Sequence, residues 1–82
     1  MKENIEHQLR DILVQLGELP TDFSSQADLY ADLGMPSVKA MQLLLELEDK
    51  FGVAIADEDF VEATSLDQLV ALISRLQASS NL

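Results

Sequence analysis

Ser37 and a run of acids near residue 60 are the groups whose type and spacing could do chemistry. Ser37 follows Leu33-Gly34-Met35-Pro36 and opens an apolar stretch that begins at Val38. A serine there could act as a nucleophile or as a helix cap. A nucleophile needs a base within hydrogen-bond reach and a group to orient that base. The one histidine, His7, falls in the first turns of the first predicted helix, and no nucleophile-elbow pattern surrounds Ser37. Ester or thioester hydrolysis by this chain alone is therefore not expected, and no catalytic residue is assigned. The acids Asp57, Glu58, Asp59 and Glu62 invite a calcium reading. An EF-hand loop requires glycine at its sixth position and a carboxylate at its twelfth. Counted from Asp57, those positions hold Glu62 and Gln68, so the pattern fails and no metal site is expected. Acids there favour a helix N-terminus and leave charge on the surface.

Elements must position these groups, and the bulk numbers limit them. The chain has 82 residues, room for one domain over 1–82. Its 48% hydrophobic content suits a globular fold. Without cysteine there is neither a disulfide framework nor a thiolate metal site, which fits a reducing cytosol. No apolar run is long enough to span a membrane, and the polar start lacks the apolar core of a signal peptide. A cytoplasmic protein is expected. Fifteen acidic residues against five basic ones give a net charge of −10. That charge argues against nucleic acid and anionic membranes as partners, and favours proteins with basic docking patches.

Apolar periodicity predicts four helices. Ile5, Leu9, Ile12, Leu13 and Leu16 place the first at 3–16, with Gly17 as its stop and Pro20 beyond. A long connection from 18 to 35 follows, and Phe23, Leu29, Tyr30 and Leu33 should pin it to the core. The second helix covers 37–51 and ends at Gly52. Val53-Ala54-Ile55 alternates but has no partner strand, so it reads as an extended connector. A short helix fits 57–62. Ser65 with Gln68 matches a capping box, opening a last helix at 66–77. Residues 78–82 read as a frayed tail. The fold class is all-α, a four-helix bundle with a long loop between the first and second helices.

The second helix has two apolar faces. On a wheel starting at Val38, Ala40, Leu43, Leu44, Leu47 and Phe51 fall between about 140° and 240°, a core stripe. Val38, Met41 and Leu45 fall between about 300° and 0°, with Glu48 and Asp49 near the edges. Such a helix is either buried on most sides or offers its second face to a partner. A flexible methionine between Val and Leu, rimmed by acids, suits a surface that meets several partners.

Leu33-Gly34-Met35-Pro36-Ser37-Val38, then Leu47-Glu48-Asp49-Lys50-Phe51-Gly52-Val53, Ile55-Ala56-Asp57-Glu58-Asp59 and Thr64-Ser65-Leu66 occur in that order. In order and spacing they resemble the acyl carrier protein family, which includes the peptidyl carriers of peptide synthetases. The resemblance covers roughly residues 5–77. It implies a four-helix bundle with a short third helix. It also implies that Ser37 is esterified to 4′-phosphopantetheine, taken from coenzyme A by a phosphopantetheinyl transferase. Acyl groups would ride as thioesters on the arm, and the carrier itself would catalyse nothing. Unpaired N–H groups and the positive dipole end at the first turn of a helix would suit a phosphodiester. Val38, Met41, Leu45, Glu48, Asp49, Asp57 and Asp59 are then the candidate partner surface. Leu43, Leu44, Leu47, Phe60 and Leu66 are candidates to line a pocket for an acyl chain. The expected partners are the transferase and the enzymes that load and accept the acyl group, and a monomer is expected.

Two departures from the family pattern matter. Pro36 stands where the family usually has Asp, a residue that caps the helix and belongs to the surface the transferase reads. Proline offers no capping side chain, and losing an Asp cap typically costs about 0.5–2 kcal/mol. Its fixed φ is still compatible with a helix start. Lys39 and Gln42 stand where many fatty-acid carriers have acids, leaving Glu46, Glu48 and Asp49 on this helix. Both point to a specialised fatty acid, polyketide or nonribosomal peptide carrier rather than a housekeeping one. A second reading stays open, that of an unmodified carrier-like adaptor acting only by protein–protein contact.

Overall fold

Apolar side chains three and four residues apart form continuous stripes on helices, and the helices that these stripes predict are present. The computed structural model describes residues 2–80. Its elements are α1 (Lys2–Gly17), a 3-10 helix (Ser37–Lys39), α2 (Ala40–Phe51), α3 (Asp57–Glu62) and α4 (Leu66–Ser80). The fold is all-α, with three longer helices and one short one. Among the described residues there is no strand, and 53–56 forms a connector between helices. No helix among them is long and apolar enough to cross a membrane.

α1 packs chiefly on α4 and also on α2. The side chains with no exposure are Leu9 and Leu13 of α1, Leu43 and Leu47 of α2, Leu66, Leu69 and Ile73 of α4, and Leu29 of the long loop. Three of these pairs stand four residues apart, one turn along the same helix face. Phe23 and Met35, also in the loop, are buried with them. The loop is thus part of the core, as its apolar residues predict.

The ends depart from expectation in physical detail. The second helix begins as a 3-10 turn, because Pro36 is held in extended backbone and offers no side-chain cap. α4 runs to Ser80 rather than stopping at 77, since Ala78 is a strong helix former and nothing breaks the helix there. Of the tail expected to fray, 81 and 82 lie outside the described residues. Gly17 does not stop α1 by turning left-handed; Glu18 does, at φ 54°. The N–H of Leu19 then reaches back to the Val14 carbonyl at 3.1 Å, closing a Schellman-type end. Gly17 serves a different purpose, because a Cβ there would lie 3.0 Å from Met35 Sδ.

α2 ends as the sequence predicts. Gly52 adopts φ 63°, and its N–H bonds the Glu48 carbonyl at 3.0 Å. Gly52→Ala forces a Cβ into left-handed backbone and is expected to cost about 1 kcal/mol. For a domain this size that lowers the melting temperature by about 4–8 °C. A thermal scan showing no drop would mean that this turn relaxes freely.

Candidate functional site

Arg10 of α1 organises the first half of the loop that delivers Ser37. Its guanidinium donates to the carbonyls of Thr21 at 3.1 Å and Phe23 at 2.7 Å. It also lies 4.4 Å from the centre of the Phe23 ring. Both bonds come from Nη1, and the flat guanidinium can lie over the ring while it donates in its own plane.

The second half is a clamp built on Asp28. Its Oδ1 accepts the N–H groups of Tyr30 at 2.9 Å and Ala31 at 2.8 Å. Its own N–H donates to Asp32 Oδ2 at 2.9 Å. The Ala31 bond first, and the Tyr30 bond next, hold the Asp28 carboxyl below its usual 3.8. A depressed carboxyl adds stability above the unfolded value and loses it as the pH falls through the folded one. The clamp should therefore persist at pH 3.8 and release only below it. In an NMR titration the Asp28 carboxyl is expected to have its midpoint below 3.8, with the Tyr30 and Ala31 amides moving in step. A midpoint at or above 3.8 would contradict the clamp. Burial, and then the charge of Asp28, push the Tyr30 phenol above 10.0.

The loop is also tied across the molecule. The Leu29 N–H donates to the Thr64 carbonyl at 2.8 Å, and the Leu29 carbonyl accepts the Met35 N–H at 2.9 Å. The Asp67 N–H donates to the Ser25 carbonyl at 3.0 Å. The loop therefore rests on the connection between α3 and α4.

From this base the chain passes through Pro36 into Ser37, the first residue of the 3-10 helix. Ser37 is exposed, and its hydroxyl makes no hydrogen bond among the described residues. It is not a capping serine: the cap position belongs to Pro36, at φ −64° and ψ 134°. Contrast Ser65, which is buried and whose Oγ accepts the Gln68 N–H at 3.3 Å. The capping box there is altered, because the Gln68 side chain accepts from the Thr64 N–H at 2.8 Å rather than from Ser65.

A cleft of about 220 Å³ opens beside Ser37, lined by Tyr30, Ser37, Ala40, Phe60, Val61 and Thr64. Of the residues predicted to line a pocket, only Phe60 is among them. Leu43, Leu44, Leu47 and Leu66 are instead buried in the closed core. Ala40 had the helical spacing of the core stripe, but Tyr30, Val61 and Thr64 reach the cleft only through the tertiary path of two loops and α3. No local pattern could have marked them.

The second apolar stripe of α2 faces outward. Val38 is 82% exposed, Met41 65% and Leu45 58%. Val61 of α3, 71% exposed, is a fourth apolar side chain at the surface that periodicity missed. Of the acids expected on the partner surface, Asp49 and Asp57 are exposed. Glu48 is partly buried, and its carboxylate accepts the Ile55 N–H at 2.9 Å, pinning the connector after α2. Asp59 lies 3.4 Å from Arg75 Nη2 of α4. His7 is exposed and lies 3.6 Å from Asp11 on the same helix, far along the chain from Ser37. Among the described residues no group of acidic or histidine side chains is placed to hold a metal ion.

An exposed hydroxyl with no internal partner, on the first turn of a helical segment beside an apolar cleft, fits a serine that carries a covalent group. The Ser37 and Val38 N–H groups have no acceptor among the described residues, as at any helix start. Comparisons with known proteins give the family of the chain. The phosphopantetheine attachment site family matches residues 7–73. The solved structure of an acyl carrier protein from Enterococcus faecalis superimposes with a TM-score of 0.81. The two are 27% identical, over 93% of this chain and 98% of that one.

Proposed function

We propose, because this chain belongs to the phosphopantetheine attachment site family of carrier domains, that it is an acyl carrier modified on Ser37. The observation that carries the reading is the exposed Ser37 hydroxyl at the head of the 3-10 helix, without a hydrogen-bond partner among the described residues. Carrier domains of this family are not catalysts. Their attached 4′-phosphopantetheine supplies a thiol that holds acyl groups as thioesters, chemistry absent from a chain without cysteine.

The chain's own residues do the presenting. Arg10 and Asp28 fix the loop, and Met35 anchors the approach to Ser37 against Gly17. Val38, Met41 and Leu45, extended by Val61, form an apolar strip that enzymes can dock on. Asp49, Asp57 and the wider net charge of −10 draw partners with basic patches, the transferase first and then the loading and accepting enzymes. Glu48 and Asp59 contribute less to such docking, since each already has a partner inside the chain. The cleft between Tyr30, Ala40, Phe60 and Thr64 is the entrance for an aliphatic chain, with Leu43, Leu44, Leu47 and Leu66 beyond it if the core parts. Pro36 and Lys39 favour a specialised fatty acid, polyketide or peptide pathway.

Intact mass tests the reading. After incubation with coenzyme A and a broad-specificity phosphopantetheinyl transferase, the wild type is expected to gain one phosphopantetheine. No gain by the wild type, together with modification of Pro36→Asp under the same conditions, would overturn the carrier role in favour of an unmodified adaptor.

A further inference from the structure

We propose that Lys39 is the positioning residue for Ser37, doing from within the chain what a capping side chain at position 36 would otherwise do. The inference rests on the attachment role argued above. Pro36 makes no side-chain bond to the turn that follows it. That turn is three residues long, closed by the Lys39 N–H on the Pro36 carbonyl at 3.0 Å and the Ala40 N–H on the Ser37 carbonyl. Short 3-10 segments have poor hydrogen-bond geometry and hold weakly unaided.

Lys39 Nζ donates to the Leu16 carbonyl at 2.7 Å, across 23 residues of sequence. It also lies 3.7 Å from Glu18 Oε2. Leu16 is in the last turn of α1, where carbonyls lack helical partners and the negative end of the dipole favours a cation. α1 has no basic residue in its own last turn, so Lys39 supplies one from outside. On the other side of Ser37, Met35 packs against Gly17, the next residue of that same turn. The end of α1 therefore grips the chain two residues before Ser37 and two residues after it. The same geometry answers why a lysine is tolerated where a docking surface favours acids. Its charge is turned inward onto a carbonyl rather than offered to the incoming enzyme.

The test compares wild type, Lys39→Met, Lys39→Arg and Lys39→Met/Pro36→Asp as transferase substrates. It also measures amide exchange at Lys39 and Ala40. Loosening the turn lowers the fraction of chains with Ser37 in a competent position, which raises KM and leaves kcat alone. For Lys39→Met a KM about tenfold higher is expected, the scale of one lost charge-assisted bond. Exchange at both amides should quicken. Lys39→Arg should restore most of the loss, and Pro36→Asp should restore it in the methionine background. Unchanged KM and unchanged exchange in Lys39→Met would overturn the inference while leaving the carrier reading intact. A higher KM with unchanged exchange would also overturn it, since Lys39 would then be touching the transferase directly. A wild type that no transferase modifies would overturn both.

Discussion

Ser37→Ala is expected to take up no phosphopantetheine under conditions that convert the wild type fully, while melting at the same temperature. Both halves follow from the exposed hydroxyl, which has no hydrogen-bond partner among the described residues. Removing it leaves no unsatisfied partner, and such surface changes fall within about ±0.5 kcal/mol. Ser65→Ala should behave in the opposite way. Ser65 is buried and caps α4 through the Gln68 N–H. Losing that cap is expected to cost about 1 kcal/mol with no effect on modification. Mass spectrometry and melting curves on the two variants separate the roles. A phosphopantetheine still found on Ser37→Ala would move the attachment site elsewhere.

Leu47→Ala is expected to have the largest effect on stability. Its side chain has no exposure, and it sits on the core stripe of α2. Leucine-to-alanine changes at such sites cost about 2–5 kcal/mol. A small domain has about 5–15 kcal/mol in total, so the variant loses a large share of it. Met41→Ala, on the same helix but 65% exposed, should leave the urea midpoint nearly unchanged. Its effect should appear instead as weaker docking of partner enzymes. Equal urea midpoints for the two variants would mean that the two faces of α2 have been assigned wrongly.

The sequence is a good guide where local physics decides. The short helix at 57–62 is legible because three acids stand in its first turn, where the helix dipole favours them. The two faces of α2 are legible because a period of 3.6 separates Leu43 and Leu47 from Met41 and Leu45. It is a poorer guide where a long-range contact decides. Gly17 looks like a left-handed stop, yet Met35 claims the space that its missing side chain leaves, and Glu18 makes the turn. Glu48 looks like surface charge, yet its carboxylate accepts the Ile55 N–H. Lys39 looks like a gap in an acidic patch, and is occupied by the end of α1. In each case the deciding partner is distant in sequence or hidden by the backbone path.

The long loop has bonding partners that lie later in the chain, on residues 64–67. The Leu29 N–H has its acceptor on Thr64, and the Ser25 carbonyl has its donor on Asp67. A nascent chain that has emerged only as far as α2 already exposes Ser37, but neither of those two loop groups yet has its partner. Chains emerge at about 5–20 residues per second, so this state lasts for seconds. An enzyme that requires the ordered loop will pass over such chains. For such an enzyme, modification of Ser37 would follow the docking of residues 64–67 on the loop.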